Sequence, residues 1–537
     1  TRFLGVGARD CGGPMSDARR FTGGRVFTGH RFVEAILVED GRVTSTGSAT
    51  QVARDSPTGC EVERLSGRLV LPGLIDAHLH LPDLTRAREG LALDGTRSRE
   101  ELVERLLHWA EAHPNGPIVG RGWDLERFPD RKEPTRRDLE MAVADRPVVL
   151  FDAGGHTAVA NRAALEAVGY MDDAPDPPGG KLGRGPDGGL DGLLRERALE
   201  PVARFTSGAF PPEPAALART LTFAASLGLT SVATLNTDPE ELAALAVLAR
   251  DEALPVRVRA YLRFGRRGEF NLPHLLPAPA EGSLAVRGVK MFTDGAFGPR
   301  TAWLSQPYAD RPEQSGNPTY SPDELARMVG LVRAEGWVPA LHAIGDRALG
   351  AALTALEGTR SGPLPSRIEH ASLVPPELYP ALDRVRPALV VQPGFVWSDA
   401  WLGARLGPDR VRFAYPFRTL TASGHLLVGS SDAPYDPVDP WRGLAASTHR
   451  VDPDGGSANP DPAEALSPAQ AVQLYTSNAG RGLGEPDLGH LEPGARADLL
   501  VHDAPDLGRA IGQGAAGVAE TWLGGRRSYR RREPVRP

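Results

Sequence analysis

Cysteine is almost absent from this chain: Cys11 and Cys60 are the only two among 537 residues. Two thiols build neither a disulfide framework nor a cysteine-rich metal site, so a disulfide-stapled scaffold is excluded and a reducing cytoplasm is the expected compartment. No stretch approaches the ~18 consecutive apolar residues that a bilayer crossing demands, and no secretory hydrophobic segment is visible. A membrane is therefore not an expected partner. Blocks of like charge are missing too. Lys and Arg number 61 against 68 Asp and Glu, and the net charge of −7 is spread along the chain. That excludes the basic footprint of a nucleic-acid binder. What remains, 41% hydrophobic and 24% charged residues, is the composition of a soluble globular protein with ample chain for a large core. Residues 1–14, TRFLGVGARDCGGP, read as an unstructured leader ahead of Met15.

The stretch around which the rest is organised is LVLPGLIDAHLH, Leu69 to His80. Its apolar run, punctuated by Pro72-Gly73, predicts a buried strand. Side chains at i and i+2 of a strand share a face, so His78 and His80 can aim at one point. Two imidazoles converging from a strand end suit a divalent metal such as zinc. Two ordinary loop histidines are the plainer alternative.

Downstream, strands and helices alternate in the manner of parallel α/β units. After 69–78, candidate strands are LTSVATL (229–235), PVRVRAYL (255–262), VRGVKMF (286–292), WVPALH (337–342), SRIEH (366–370), ALVVQP (388–393) and HLLVGSSD (425–432). Helices with apolar residues at three- and four-residue spacing, such as 322–336 and 346–358, lie between most of them. Eight such strands predict an α/β fold, a (β/α)8 TIM barrel spanning 71–80 and 216–484. Residues 81–215 then form an insertion after the first strand. It holds a helix at 101–113, strand-like 117–123 and 147–151, and a Gly/Pro-rich segment at 173–189 that reads as a lid or flap contributing to the pocket. The termini, 15–70 and 485–537, alternate around Asp40-Gly41 and Gly524-Gly525 and predict one small composite β-sandwich.

In such barrels the working groups occupy the C-terminal ends of the strands. Those ends carry His78, His80, Lys290, His342, His370 and Asp432. A lone histidine is more often a core or capping residue, but six metal-type residues on five strands of one barrel form a strong constellation. They sit in the strings LPGLIDAHLH, VKMFTDGAFGPRTAWLSQPY, ALHAIGDRAL, RIEHASL and GSSDAP. With GRGWD (120–124), GGHTAVAN (154–161), GLDGLLRERA (189–198), SPAQAVQLYTSNAG (467–480) and LGHLEPGARADLLVHD (488–503), nearly the whole chain resembles the metal-dependent amidohydrolase superfamily. Within it the sequence is similar to the N-substituted formamide deformylase-like branch, amidohydrolase family 3.

The resemblance implies a metal-activated hydrolase of a small, non-peptide amide, with one or two zinc-type ions per chain. His78 and His80 would hold the more buried ion, and His342 and His370 the second. Lys290 would bridge them as a carbamate derived from carbon dioxide; a salt bridge from Lys290 to Asp294 would instead leave one metal. Asp432, also a metal ligand, would act as general base and then acid. His156 would contact substrate or donate to the oxyanion. Trp123 and Asp124 would line the pocket. Asp294 would contact substrate or, with Arg300, hold the 294–306 loop in shape. Asp346 and Arg347 would cap the helix after His342. A cyclic amide, carbamate or ester is the alternative substrate, and an inactive metal- or ligand-binding barrel the alternative of another class. Barrels of this kind often pair, so a homodimer is an expected form.

Overall fold

The computed structural model describes residues 17–155, 157–177, 180–209, 213–264, 282–359 and 364–532. The leader 1–14 and His156 lie outside the described residues. Eight parallel strands form a nearly closed barrel: β1 (Leu74–Leu79), β2 (Leu229–Thr237), β3 (Arg257–Arg263), β4 (Leu284–Phe292), β5 (Val338–Ala343), β6 (Arg367–His370), β7 (Ala388–Val391) and β8 (Leu426–Gly429). They pair in chain order from β1 to β8. Among the described residues no ladder joins β8 to β1. Instead the Asp432 N–H donates to His78 O at 2.7 Å and the His80 N–H to Ala433 O at 2.8 Å. These bonds fasten the C-terminal ends of the two strands together.

A parallel strand covered on both faces must be apolar on both. β1 and β5 are buried at every position. Their alternation splits the core in two: Leu74 and Leu341 pack outward under the helices, while Ile75, Ala77 and Ala340 fill the barrel interior with Ala233, Tyr261 and Val428.

The run Leu69–His80, read above as one strand, is two. Leu69–Pro72 pairs with Leu499–His502 in the sheet built from both termini, and β1 begins at Leu74. The barrel therefore starts after Gly73 rather than at residue 71. The chain changes sheets there because Gly73 donates its N–H to Asp498 O at 2.9 Å. It also abuts Thr230, whose Cγ2 would lie 2.2 Å from an added Cβ. The terminal sheet has eight strands, its Asp40-Gly41 and Gly524-Gly525 turns taking positive φ at both residues as two-residue hairpins require.

Between β1 and β2 a separate six-stranded sheet occupies residues 91–196. The Gly/Pro-rich segment expected to be a flap is partly strand. Gly180–Arg184 pairs antiparallel with Leu190–Glu196, and none of residues 173–177 or 180–189 lines the cavity at the barrel mouth. Among the described residues no helix is long and apolar enough to cross a membrane.

One buried acid in the barrel wall makes stability depend on pH. Glu241, 1% exposed, accepts a hydrogen bond from Thr234 Oγ1 at 2.7 Å, and burial pushes its carboxyl up to about 8. The folded chain then keeps a proton that the unfolded chain releases above the ordinary value of 4.5. Stability from this group is full below that value and falls by about 1.4 kcal/mol per pH unit until the folded group ionises. Glu241→Gln keeps the acceptor and removes the proton. Urea melts at pH 5 and pH 8 should show a smaller loss for the variant than for the wild type.

Candidate active site

The six strand-end residues come together at the C-terminal mouth of the barrel. His78 projects from β1 and His80 follows it as the N-cap of the next helix, Lys290 projects from β4, His342 from β5 and His370 from the end of β6. Asp432 follows β8 and, like His370, sits in the left-handed region, with φ of 61° and 76° respectively. Such backbone in non-glycine residues is costly and concentrates at functional sites. Ligand atoms of His78, His370 and Asp432 all lie within 4.8 Å of one another. Asp432 Oδ1 is 3.2 Å from Nε2 of both His78 and His80. The His342 ring lies 4.4 Å from that of His370, and Lys290 Nζ is 3.3 Å from His78 Nε2.

Three of the imidazoles are oriented from behind. His78 Nδ1 donates to Glu369 Oε2 at 2.7 Å, His370 Nδ1 to Gln392 Oε1 at 2.8 Å and His342 Nε2 to Gly295 O at 2.9 Å. Gln392 is itself held, its amide nitrogen donating to Ser430 Oγ at 3.0 Å. With one nitrogen of each ring carrying the proton outward, the other presents a lone pair, which is how metal-ligating histidines are set. Asp432 Oδ1 is buried and accepts no hydrogen bond, although it faces His78 Nε2. Two lone pairs turned toward each other at 3.2 Å fit a cation between them. The donor set, imidazole and carboxylate, suits zinc and similar divalent ions.

Burial keeps the site in ligating form. It pushes His370 down to about 3 and His342 well below its ordinary value, so both are neutral at physiological pH. It also pushes the Lys290 ammonium down to about 8. Burial alone would raise Glu369, but the Arg367 guanidinium and His78 outweigh it and hold the carboxyl below the usual range.

The mouth opens into a cavity of about 370 Å³ lined by His80, Lys290, His342, His370 and Asp432, with aromatic walls that include Phe292, Phe297, Phe395 and Trp401. The insertion reaches it through Gly154 and Gly155, the neighbours of His156. Trp123 does not line it. Its ring stacks on Phe128 inside the insertion core and its N–H donates to Leu150 O at 2.9 Å. A register shift between Arg121 and Trp123, at Gly122 with its φ of 108°, breaks the period of two and turns this side chain inward, so the expected aromatic wall is supplied from the barrel instead. Asp124, half-exposed, is also outside the cavity lining and faces Arg127 at 3.6 Å.

Asp294 lines the cavity, yet its carboxylate accepts three backbone bonds: from Trp303 N at 2.9 Å, Ile344 N at 3.1 Å and Gly345 N at 2.9 Å. This pins the loop after β4 to the end of β5, and Arg300 secures the same loop through Asp310 at 2.6 Å. Among the described residues Lys290 and Asp294 form no ion pair. Asp346 does not cap the following helix, whose N-cap is Gly345. It binds Ser305 instead, accepting from its N–H at 2.9 Å, while Arg347 lies over the Trp303 ring at 4.7 Å.

Glu369, Arg367 and Gln392 were not singled out by sequence reasoning. Two opposite charges in the short string RIEH, within a strand otherwise expected to be apolar, were the available signal. Arg367 grips Glu369 with two nitrogens at 2.8 and 3.0 Å, both side chains fully buried.

The sequence profile described as the amidohydrolase family matches residues 61–529. YtcJ of Bacillus subtilis (strain 168) is 31% identical over 489 residues, covering 87% of this chain and 90% of its own. The N-substituted formamide deformylase of Arthrobacter pascens is 27% identical over 513 residues, 89% of this chain and 92% of its own. A solved structure, an uncharacterized metal-dependent hydrolase from Pyrococcus horikoshii OT3, matches with a TM-score of 0.77 at 30% identity, covering 93% of this chain and 99% of its own.

Proposed function

Since the chain belongs to the amidohydrolase family, we propose that this hydrolase cleaves a non-peptide carbon–nitrogen bond in a small amide, such as an N-substituted formamide. In this reading His78 and His80 hold a more buried zinc-type ion and His342 and His370 a second. Lys290, as a carbamate formed with carbon dioxide, would complete the donor set, and burial favours the neutral amine that carbon dioxide requires. Ions held there supply an activated water near neutral pH and polarise the substrate carbonyl. Asp432 accepts the proton of the attacking water and passes it to the departing amine nitrogen. His156, whose neighbours Gly154 and Gly155 line the cavity, is the proposed donor to the oxyanion.

The observation that carries this reading is the outward commitment of one nitrogen on each of His78, His342 and His370, which leaves two lone pairs within 4.8 Å of the Asp432 carboxylate and a third on the ring next to His370. The amide class is supported by the name of the Arthrobacter pascens relative. Initial rates on an open formamide, a cyclic amide, a carbamate and an ester test it. The open formamide should show the highest kcat/KM and lose it reversibly on chelation. A higher value for any of the other three would move the reading to that bond. Chelator-insensitive rates would remove the metal from the chemistry, and no rate on any of the four with metal restored would leave an inactive barrel.

A further inference from the structure

The insertion places a second cavity, of about 510 Å³, beside the first, and Asp83, Gly155 and Tyr435 line both. Its chemistry differs. Four arginines, Arg86, Arg121, Arg204 and Arg263, line it together with three acids, Asp83, Glu200 and Asp238. Arg86 is already committed to Asp83 at 2.7 Å, and Arg204 and Arg263 are exposed, where a solvated guanidinium needs no partner.

Arg121 is a different case. Its Nη1 is buried and has no hydrogen-bond partner. Among the described residues, every other arginine with such an orphaned nitrogen bonds a protein acceptor through another nitrogen, as Arg367 does to Glu369 and Arg450 to Tyr415 O. The Arg121 guanidinium makes no hydrogen bond or ion pair with any of the described residues. Asp83 and Asp94 are near enough to feel its charge but do not pair with it. Two rings hold its guanidinium instead, Phe151 and Tyr435, each 5.3 Å away. The backbone leaves it room: a Cβ on Gly155, whose φ is 70°, would come within 3.0 Å of Arg121 Nη1 and 2.6 Å of the Tyr435 ring. A permanent cation fixed this way and partly buried, with two carboxylates nearby but none paired to it, is completed by an anion that hydrogen-bonds it directly.

Tyr435 joins this position to the reaction centre, because the His80 ring meets it edge-on at 5.5 Å. One aromatic ring therefore separates Arg121 from a strand-end histidine. We propose that the second cavity is a carboxylate subsite, and that Arg121 selects amides bearing a carboxylate about one ring's width beyond the scissile group. The planar guanidinium offers paired N–H donors that match a carboxylate. The inference rests on the amide reading for its scissile bond and on Arg121 alone for its anion.

A matched pair tests it: 4-(formamidomethyl)benzoate and its carboxamide, with metal-loaded wild type, Arg121→Gln and Arg121→Lys. The wild type should favour the carboxylate by tenfold or more in kcat/KM, chiefly through KM. That ratio should fall to about one in the Gln variant and be largely kept in the Lys variant, and a ratio taken within one preparation cancels any loss of folded protein. A wild-type ratio near one, or the same ratio in all three proteins, would overturn the proposal. If neither compound is hydrolysed, the amide reading has failed and calorimetry with benzoate and benzamide decides the subsite. Benzoate bound tenfold more weakly by Arg121→Gln than by wild type, with benzamide indifferent, upholds it. Equal benzoate affinity in the two overturns it.

Discussion

Asp432→Asn should lower kcat by about 10²–10⁴-fold, the usual worth of a positioned proton-transfer group, while metal content stays near that of the wild type. Asparagine has the same shape but accepts no proton. The backbone that places it is independent of the side chain, since the Asp432 N–H donates to His78 O at 2.7 Å. Its Oδ1 accepts no hydrogen bond that the amide would have to replace. Five other donors remain at the mouth, so the ions should stay bound. Steady-state rates with elemental analysis of the same preparation check both halves. Full activity in the variant would remove Asp432 from the chemistry.

Glu369→Ala should produce the largest loss of stability. It leaves the Arg367 guanidinium fully buried without its counter-charge, with only Ala77 O at 2.7 Å as an acceptor and the Tyr261 ring 4.2 Å away. Removing one partner of a buried pair costs about 3–5 kcal/mol. It also frees His78 Nδ1, and loss of such an orienting carboxylate weakens metal binding by about 10–100-fold. Thermal melts and metal titration should therefore shift together. A variant with wild-type Tm and metal affinity would show that the Arg367–Glu369–His78 chain neither supports the fold nor orients the imidazole.

Much of this architecture was legible in the sequence because parallel barrel strands are buried on both faces. VPALH and ALVV read as apolar runs whatever they pair with, and residues at their C-terminal ends share one mouth. His78 and His80 were readable together from their spacing alone. Lys290 carried a further signal, since Lys132, Lys181 and Lys290 are the only lysines in a chain that otherwise uses arginine.

Other features depend on contacts distant in the chain. Leu69–Pro72 leaves the barrel for a strand some 430 residues away, at Leu499–His502, and nothing local in LVLPG marks that change of sheet. Which face of the insertion strand looks into the cavity also escaped the pattern. Trp123 turned out to be core, and Arg121, two residues earlier in the same string, lines the neighbouring cavity. Glu369 and Gln392 act only through the rings they orient, so their meaning appears once those rings are in place.

The proposed chemistry depends on six residues from five strands forming one site for divalent metal. Elemental analysis of protein purified without chelators tests it most directly. About two zinc-type ions per chain are expected, with loss of about one in Lys290→Ala. No bound metal, even after incubation with zinc, would contradict it.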